Sequence, residues 1–131
     1  MAQLQFRKHT ERFIPASYTS NETTALFNVA AGDLIAYVHA RTEVAFNGAG
    51  TAAILTLGDG ADPDRFILGG DVDETSTGLY AATGGSGSDY LLLGSHLYTA
   101  ADTIDVVFTA NTSGSRTAGE ALFVIHKAKV N

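Results

Sequence analysis

The side chains able to do chemistry are scattered along this chain. Histidines stand at positions 9, 39, 96 and 126, and serines are plentiful. A serine nucleophile needs a base within hydrogen-bond reach and a sharp turn to present it, usually written Gly-x-Ser-x-Gly. No such elbow occurs. The nearest run, Gly84-Gly85-Ser86-Gly87-Ser88, ends in Ser, follows no strong strand and reads as a loop. Neither a P-loop nor a dinucleotide Gly-x-Gly-x-x-Gly is present, and no helix is in prospect to supply a phosphate-binding N-terminus. Cysteine is absent, so disulfides, thiolate zinc sites and cysteine nucleophiles are excluded, and no His-x-x-x-His pair offers zinc close nitrogen ligands.

The one cluster with ligand chemistry is acidic. Asp59, Asp62, Asp64, Asp71, Asp73 and Glu74 lie within sixteen residues, and calcium takes such carboxylates from irregular loops. The spacing does not fit an EF-hand and Pro63 interrupts it. Asp and Gly are also the ordinary residues of turns, so a turn-rich stretch with no metal is the expectation. Paired carboxylates can hydrolyse glycosides, but isolated acids in turns do not make such a pair. We expect no enzyme active site, no cofactor and no metal. Five tyrosines and no tryptophan leave a weak basis for sugar stacking, with Tyr80 and Tyr90 beside the Gly/Ser loop as the one candidate shelf.

A chain of 131 residues with 45% hydrophobic residues is long enough for a single core without staples. Residues 1–20 contain no apolar signal region, and polar residues interrupt every apolar run, so neither a signal peptide nor a membrane span is expected. The sequons at Asn21 and Asn111 therefore carry little weight. A net charge of −6 argues against a nucleic-acid partner. The charge is uneven. Arg7, Lys8 and Arg12 face only Glu11 within residues 1–16, whereas in 59–74 six acids face only Arg65.

The elements that must position these residues are strands. Thr103-Ile104-Asp105-Val106-Val107-Phe108-Thr109-Ala110 puts Ile104, Val106, Phe108 and Ala110 on one face, the period of a half-buried strand. Further strands are expected at 24–29, 33–41, 43–46, 51–57, 65–68, 89–93 and 121–130, punctuated by Gly, Asn and Asp. Asn47-Gly48 reads as a hairpin turn between two of them. Seven or eight strands without an amphipathic helix mean an all-β antiparallel sandwich, an eight-stranded jelly roll by first choice, with residues 21–131 as its single domain.

Three strands break the alternation: Leu34–Val38, Tyr90–Leu93 and Leu122–Ile125 are apolar on both faces. Either loops and the N-terminal segment cover the second face, or a second copy does. Residues 1–20 hold Leu4, Phe6, Phe13 and Ile14 beside Arg7, Lys8 and Arg12. That mixture suits an extended N-terminal arm laid across an acidic, partly apolar neighbour, and these seven residues are the expected assembly arm.

The segments Gly32-Asp33-Leu34-Ile35-Ala36-Tyr37-Val38, Ala45-Phe46-Asn47-Gly48 and Ile54-Leu55-Thr56-Leu57-Gly58-Asp59 resemble small structural proteins of tailed bacteriophage virions. So do Leu97-Tyr98-Thr99-Ala100-Ala101-Asp102-Thr103-Ile104 and Thr117-Ala118-Gly119-Glu120-Ala121, which together span most of Gly32 to Val130. The resemblance implies a non-enzymatic β-sandwich, commonly a homotrimer, located in the virion. Its partners would be copies of itself and the major capsid protein or another virion protein. It implies decoration or cementing of a capsid first, or a part in a spike or tail; the competing reading of the chain is a tail or fibre-associated carbohydrate-binding module.

Overall fold

The computed structural model describes residues 4–48, 52–81, 96–111 and 116–130. Eight strands occur among them: β1 (Arg7–Phe13), β2 (Glu22–Val29), β3 (Asp33–Val44), β4 (Ile54–Gly58), β5 (Gly78–Ala81), β6 (His96–Leu97), β7 (Asp102–Thr109) and β8 (Glu120–Lys129). One sheet runs β1-β8-β3-β5, with β6 also pairing β3. The other runs β2-β7-β4, and every pair is antiparallel. The pairs β1·β8, β2·β7 and β3·β6 nest inside one another, as in a long hairpin folded over on itself. That winding defines a jelly roll. The innermost partnership departs from it: β5 pairs with His39–Thr42 of β3, and among the described residues the outer edge of β4 is met only by a Leu57–Ile67 bridge.

Alternation dictates the core. Ile104, Val106 and Phe108 of β7 are fully buried, and across the β4 ladder Leu55 opposes Phe108 and Leu57 opposes Val106. Val38 and Ala40 on β3, with Phe123 and Ile125 on β8, supply the facing layer. Phe108 sits at the centre, 6.1 Å from the ring of Phe13 and 5.7 Å from that of Phe46. Each buried phenylalanine contributes roughly 1.5–3 kcal/mol.

Several sequence expectations are corrected here. The apolar run Leu34–Val38 does not face both ways throughout. A register shift between Ile35 and Tyr37 buries both Ile35 and Ala36 and turns Tyr37 outward, as an extra residue on one strand must do. Asn47-Gly48 makes no hairpin, because β3 continues to Val44 and then crosses to the other sheet. Instead the Asn47 side-chain oxygen accepts from the backbone of Thr117 and Ala118, both at 2.9 Å, tying the β3 exit to the β8 entry. Residues 65–68 form only the single bridge at Ile67. The expected strand at 89–93 lies outside the described residues. Strand β1 falls inside the expected arm: its residues pair in register with β8 from Arg7 opposite Lys127 to Phe13 opposite Ala121.

Candidate assembly surfaces

The pairing of β1, β8, β3 and β5 builds the outward face of the first sheet in three rows. Lys8, His126 and Tyr37 form one; Thr10, Val124 and His39 the next; Arg12, Leu122, Arg41 and Leu79 the third. No element of the chain lies over this face among the described residues. Leu79 is 66% exposed, and Tyr37 is exposed too. Alternation places Leu122 and Val124 here because the opposite face of β8 is taken by Ala121, Phe123 and Ile125. The result is an apolar centre fringed by cations, two of them in ion pairs: Arg12 with Glu120, and Arg41 with Glu43 at 3.7 Å.

The histidines do not gather into a catalytic group. His39 and His126 lie edge to face on this surface, 5.9 Å between rings, with Tyr37 at 5.8 Å from His126. Burial lowers the pKa of His126, reinforced by repulsion from His39 and Lys8. His9 is on β1, and His96 packs against Tyr98 at 4.6 Å on the other side of the sheet's edge. The Gly84–Ser88 run and Tyr90 lie outside the described residues. Tyr80 packs partly buried against the core and donates its hydroxyl to the Ser76 carbonyl.

The acidic stretch is used largely to build turns, which explains its composition. Asp59 is buried: one carboxylate oxygen accepts from the backbone of Ala61 and Asp62, the other from Tyr98 at 2.7 Å and Arg65 at 2.9 Å. Burial alone would raise its pKa, but these donors outweigh it and hold the carboxyl below its ordinary value. Asp71 caps the Leu68 backbone and Asp73 caps Thr75. Glu74 is buried, accepts from the Leu55 backbone at 2.9 Å, and is pushed upward by that burial. The described residues contain no group of three or more His, Asp or Glu placed to hold a metal ion.

The seven residues expected as an assembly arm divide. Leu4, Phe6 and Ile14 are exposed, at 49%, 40% and 51%, and Phe6 is the one phenylalanine of the described chain outside the core. Arg7 and Lys8 are exposed on β1, while Arg12 is paired with Glu120. Phe13 is buried against Phe108 and belongs to the chain's own core.

Strand β1 went unread because its polar string Arg7-Lys8-His9-Thr10-Glu11-Arg12 has no apolar period. Asn21 and Arg116 were missed as well. Asn21 accepts from the Ala110 backbone at 2.9 Å. Arg116 donates to the Ala110 carbonyl at 2.6 Å and lies over the Phe108 ring. The one available signal was their position beside strand ends.

No protein-family model matches the chain, and a search of curated proteins finds no match. Two solved structures are similar in fold. A chain of the Cyanophage Pam1 capsid asymmetric unit superposes with a TM-score of 0.62 at 15% identity, covering 96% of this chain and 84% of that one. A chain of the acidic stable capsid structure of Helicobacter pylori bacteriophage KHP30 gives 0.59 at 10% identity, covering 96% and 93%. At these identities the likeness is one of fold: the all-β sandwich is shared over nearly its whole length.

Proposed function

We propose that this chain is a non-enzymatic structural protein of a bacteriophage virion, a capsid decoration or cement protein that assembles as a trimer on the head and stabilises it. The observation that carries this reading is the near-complete superposition of one sandwich on chains of two phage capsids. The outward face of the first sheet, uncovered among the described residues, supports it physically. Tyr37, Leu79, Leu122 and Val124 on one side of a sheet, fringed by Lys8 and Arg41, suit burial against other protein. The scattered histidines and turn-building acids give no support to a hydrolytic alternative.

The test is attachment. Purified chain mixed with shells lacking it should co-sediment with them and raise their heat or denaturant resistance. Mass spectrometry of intact particles should find the chain in stoichiometric amounts. Its absence from particles, or binding that leaves shell stability unchanged, refutes the decoration role.

A further inference from the structure

The two strongly charged regions of the chain lie on opposite sides of the sandwich. β1 and β2 are the end strands of their sheets on one side, and β5 and β4 on the other. The acidic 59–74 segment follows the second side. Ile67 bridges β4, the Asp73 carbonyl accepts from Thr42 on β3, and the Glu74 carbonyl accepts from Phe46. The basic residues follow the first side. There two adjoining hollows of about 360 and 430 Å³ open along the β1 edge, sharing His9 and Lys127 and lined also by Arg7, Lys129, Glu11 and Asp33, with Lys8 meeting the edge from the outward face. Three sheet spacings of about 4.8 Å separate the backbones of β1 and β5, so Arg7 and Lys8 stand on the far side of the sheet from the acidic segment.

Among the described residues, each region also holds more charge of one sign than its ion pairs balance. Lys127 and Lys129 both reach the single carboxylate of Asp33, at 3.3 and 3.0 Å, which leaves the trio one positive charge in excess beside exposed Arg7 and Lys8. On the acidic side, the Asp64 carboxyl is raised, first by its hydrogen bond with Asp62, then by burial and by the negative charge of Asp62. A cation placed there relieves that repulsion.

We propose that the basic cleft along β1 receives the acidic 59–74 segment of a second copy, joining copies head to tail. Such a contact uses different patches on each partner, so it closes into a ring when the rotation permits. It rests on the self-assembly part of the proposed function and names the surfaces that carry it.

Sedimentation velocity of the full chain tests this, with circular dichroism checking each variant's fold. Arg7→Glu with Lys8→Glu should weaken self-association about tenfold or more, and so should Asp62→Lys with Asp64→Lys, because like charges then face each other. Combining all four substitutions in one chain restores opposite charges across the contact and should recover association. Raising salt from about 0.05 to about 0.5 M should weaken the wild type. A wild type that stays monomeric at every concentration overturns this contact, and leaves a trimer only as something formed on the shell. A trimer indifferent to both reversals overturns the contact and leaves the trimer standing on another face. A fluorescent single-stranded oligonucleotide bound by wild type and lost on Arg7→Glu with Lys8→Glu, while association is unchanged, makes the cleft a nucleic-acid site and overturns the proposal.

Discussion

The hydroxyl of Tyr98 donates a 2.7 Å hydrogen bond to the buried carboxylate of Asp59, joining the end of β6 to the turn after β4. Arg65 completes the group at 2.9 Å. Burial, the Asp59 bond and its negative charge push the Tyr98 phenol far above its ordinary value, so it remains a donor throughout the accessible pH range. A hydrogen bond to a charged acceptor is worth roughly 1.5–3 kcal/mol. Tyr98→Phe should destabilise by about that amount in urea unfolding, with the sandwich retained. A change within a few tenths of a kcal/mol would show that the turn holds Asp59 without Tyr98.

Acid should unfold the protein by a route that names its carboxylates. Burial pushes Asp33 up, yet the Ala30 backbone and Lys129 and Lys127 bring it below its ordinary value, as Tyr98 and Arg65 do for Asp59. Groups lowered in the folded state contribute stability that is present above their unfolded value of 3.8 and lost as pH falls through the folded one. Stability should therefore decline below about pH 4, less steeply in Asp33→Asn, which starts lower. Parallel pH profiles for wild type and variant would remove Asp33 from the account.

Glu74 has the opposite sign. Burial raises its carboxyl, so ionisation costs more in the folded chain than in the unfolded one, and the penalty grows as pH rises from 4.5. Gln at this position keeps an oxygen to accept from Leu55. Glu74→Gln should raise the melting temperature at neutral pH and change it little near about pH 4. A lower melting temperature at neutral pH would mean that the charge itself is needed.

The N-terminal strand divides by residue. Phe13→Ala should cost about 3–5 kcal/mol, because it opens a void beside Phe108 and Ala121. Phe6→Ala should leave unfolding unchanged and weaken shell attachment, since Phe6 is 40% exposed. Deleting residues 1–6 should behave like Phe6→Ala. Deleting 1–16 should destabilise the sandwich itself by removing all of β1. An unfolding midpoint left untouched by the longer deletion would detach β1 from the core.

Gly119 carries a positive φ of 152°, and a Cβ there would stand 2.1 Å from the Phe46 ring. Gly119→Ala should cost about 2–5 kcal/mol through backbone strain and overpacking. Full stability would mean that Phe46 can swing aside. Asp59, Asp71 and Asp73, by contrast, cap turns, and no described group is placed to hold a metal, so EDTA should leave the melting temperature unchanged. A calcium site filled at a hundred times its dissociation constant would contribute roughly 2.7 kcal/mol, and a loss of that size on chelation would be seen at once.

The sandwich was legible where one face is buried and the other partly exposed, as on β7, whose buried Ile104, Val106 and Phe108 alternate with half-buried Thr103, Asp105, Val107 and Thr109. Strand β1 was illegible for the converse reason. At the edge of a sheet its backbone pairs with β8 while its side chains stay in water, so only Phe13 betrays burial. The register shift that buries Ile35 and Ala36 together imitates a strand apolar on both faces. Asn47 and Gly48 carry the composition of a hairpin, and only the distant Thr117–Ala118 backbone decides otherwise. As for the candidate surface, the basic residues at positions 7, 8 and 12 could be read as a group. That Lys8 and Arg12 share a face with Tyr37, Arg41 and Leu79, while Arg7 turns to the other, follows only from cross-strand register.

The nesting of β1 against β8 also governs the order in which the chain can fold. Arg7 finds its partner at Lys127, and Phe13 at Ala121, so the first sheet cannot close on a growing polypeptide until β8 has left the ribosome. Contacts of such sequence separation carry a large loop-closure entropy and make folding slow. Until then β3 has no β8 beside it, and the apolar residues Ile35, Val38 and Ala40 wait uncovered, exposed to pairing with strands of other chains.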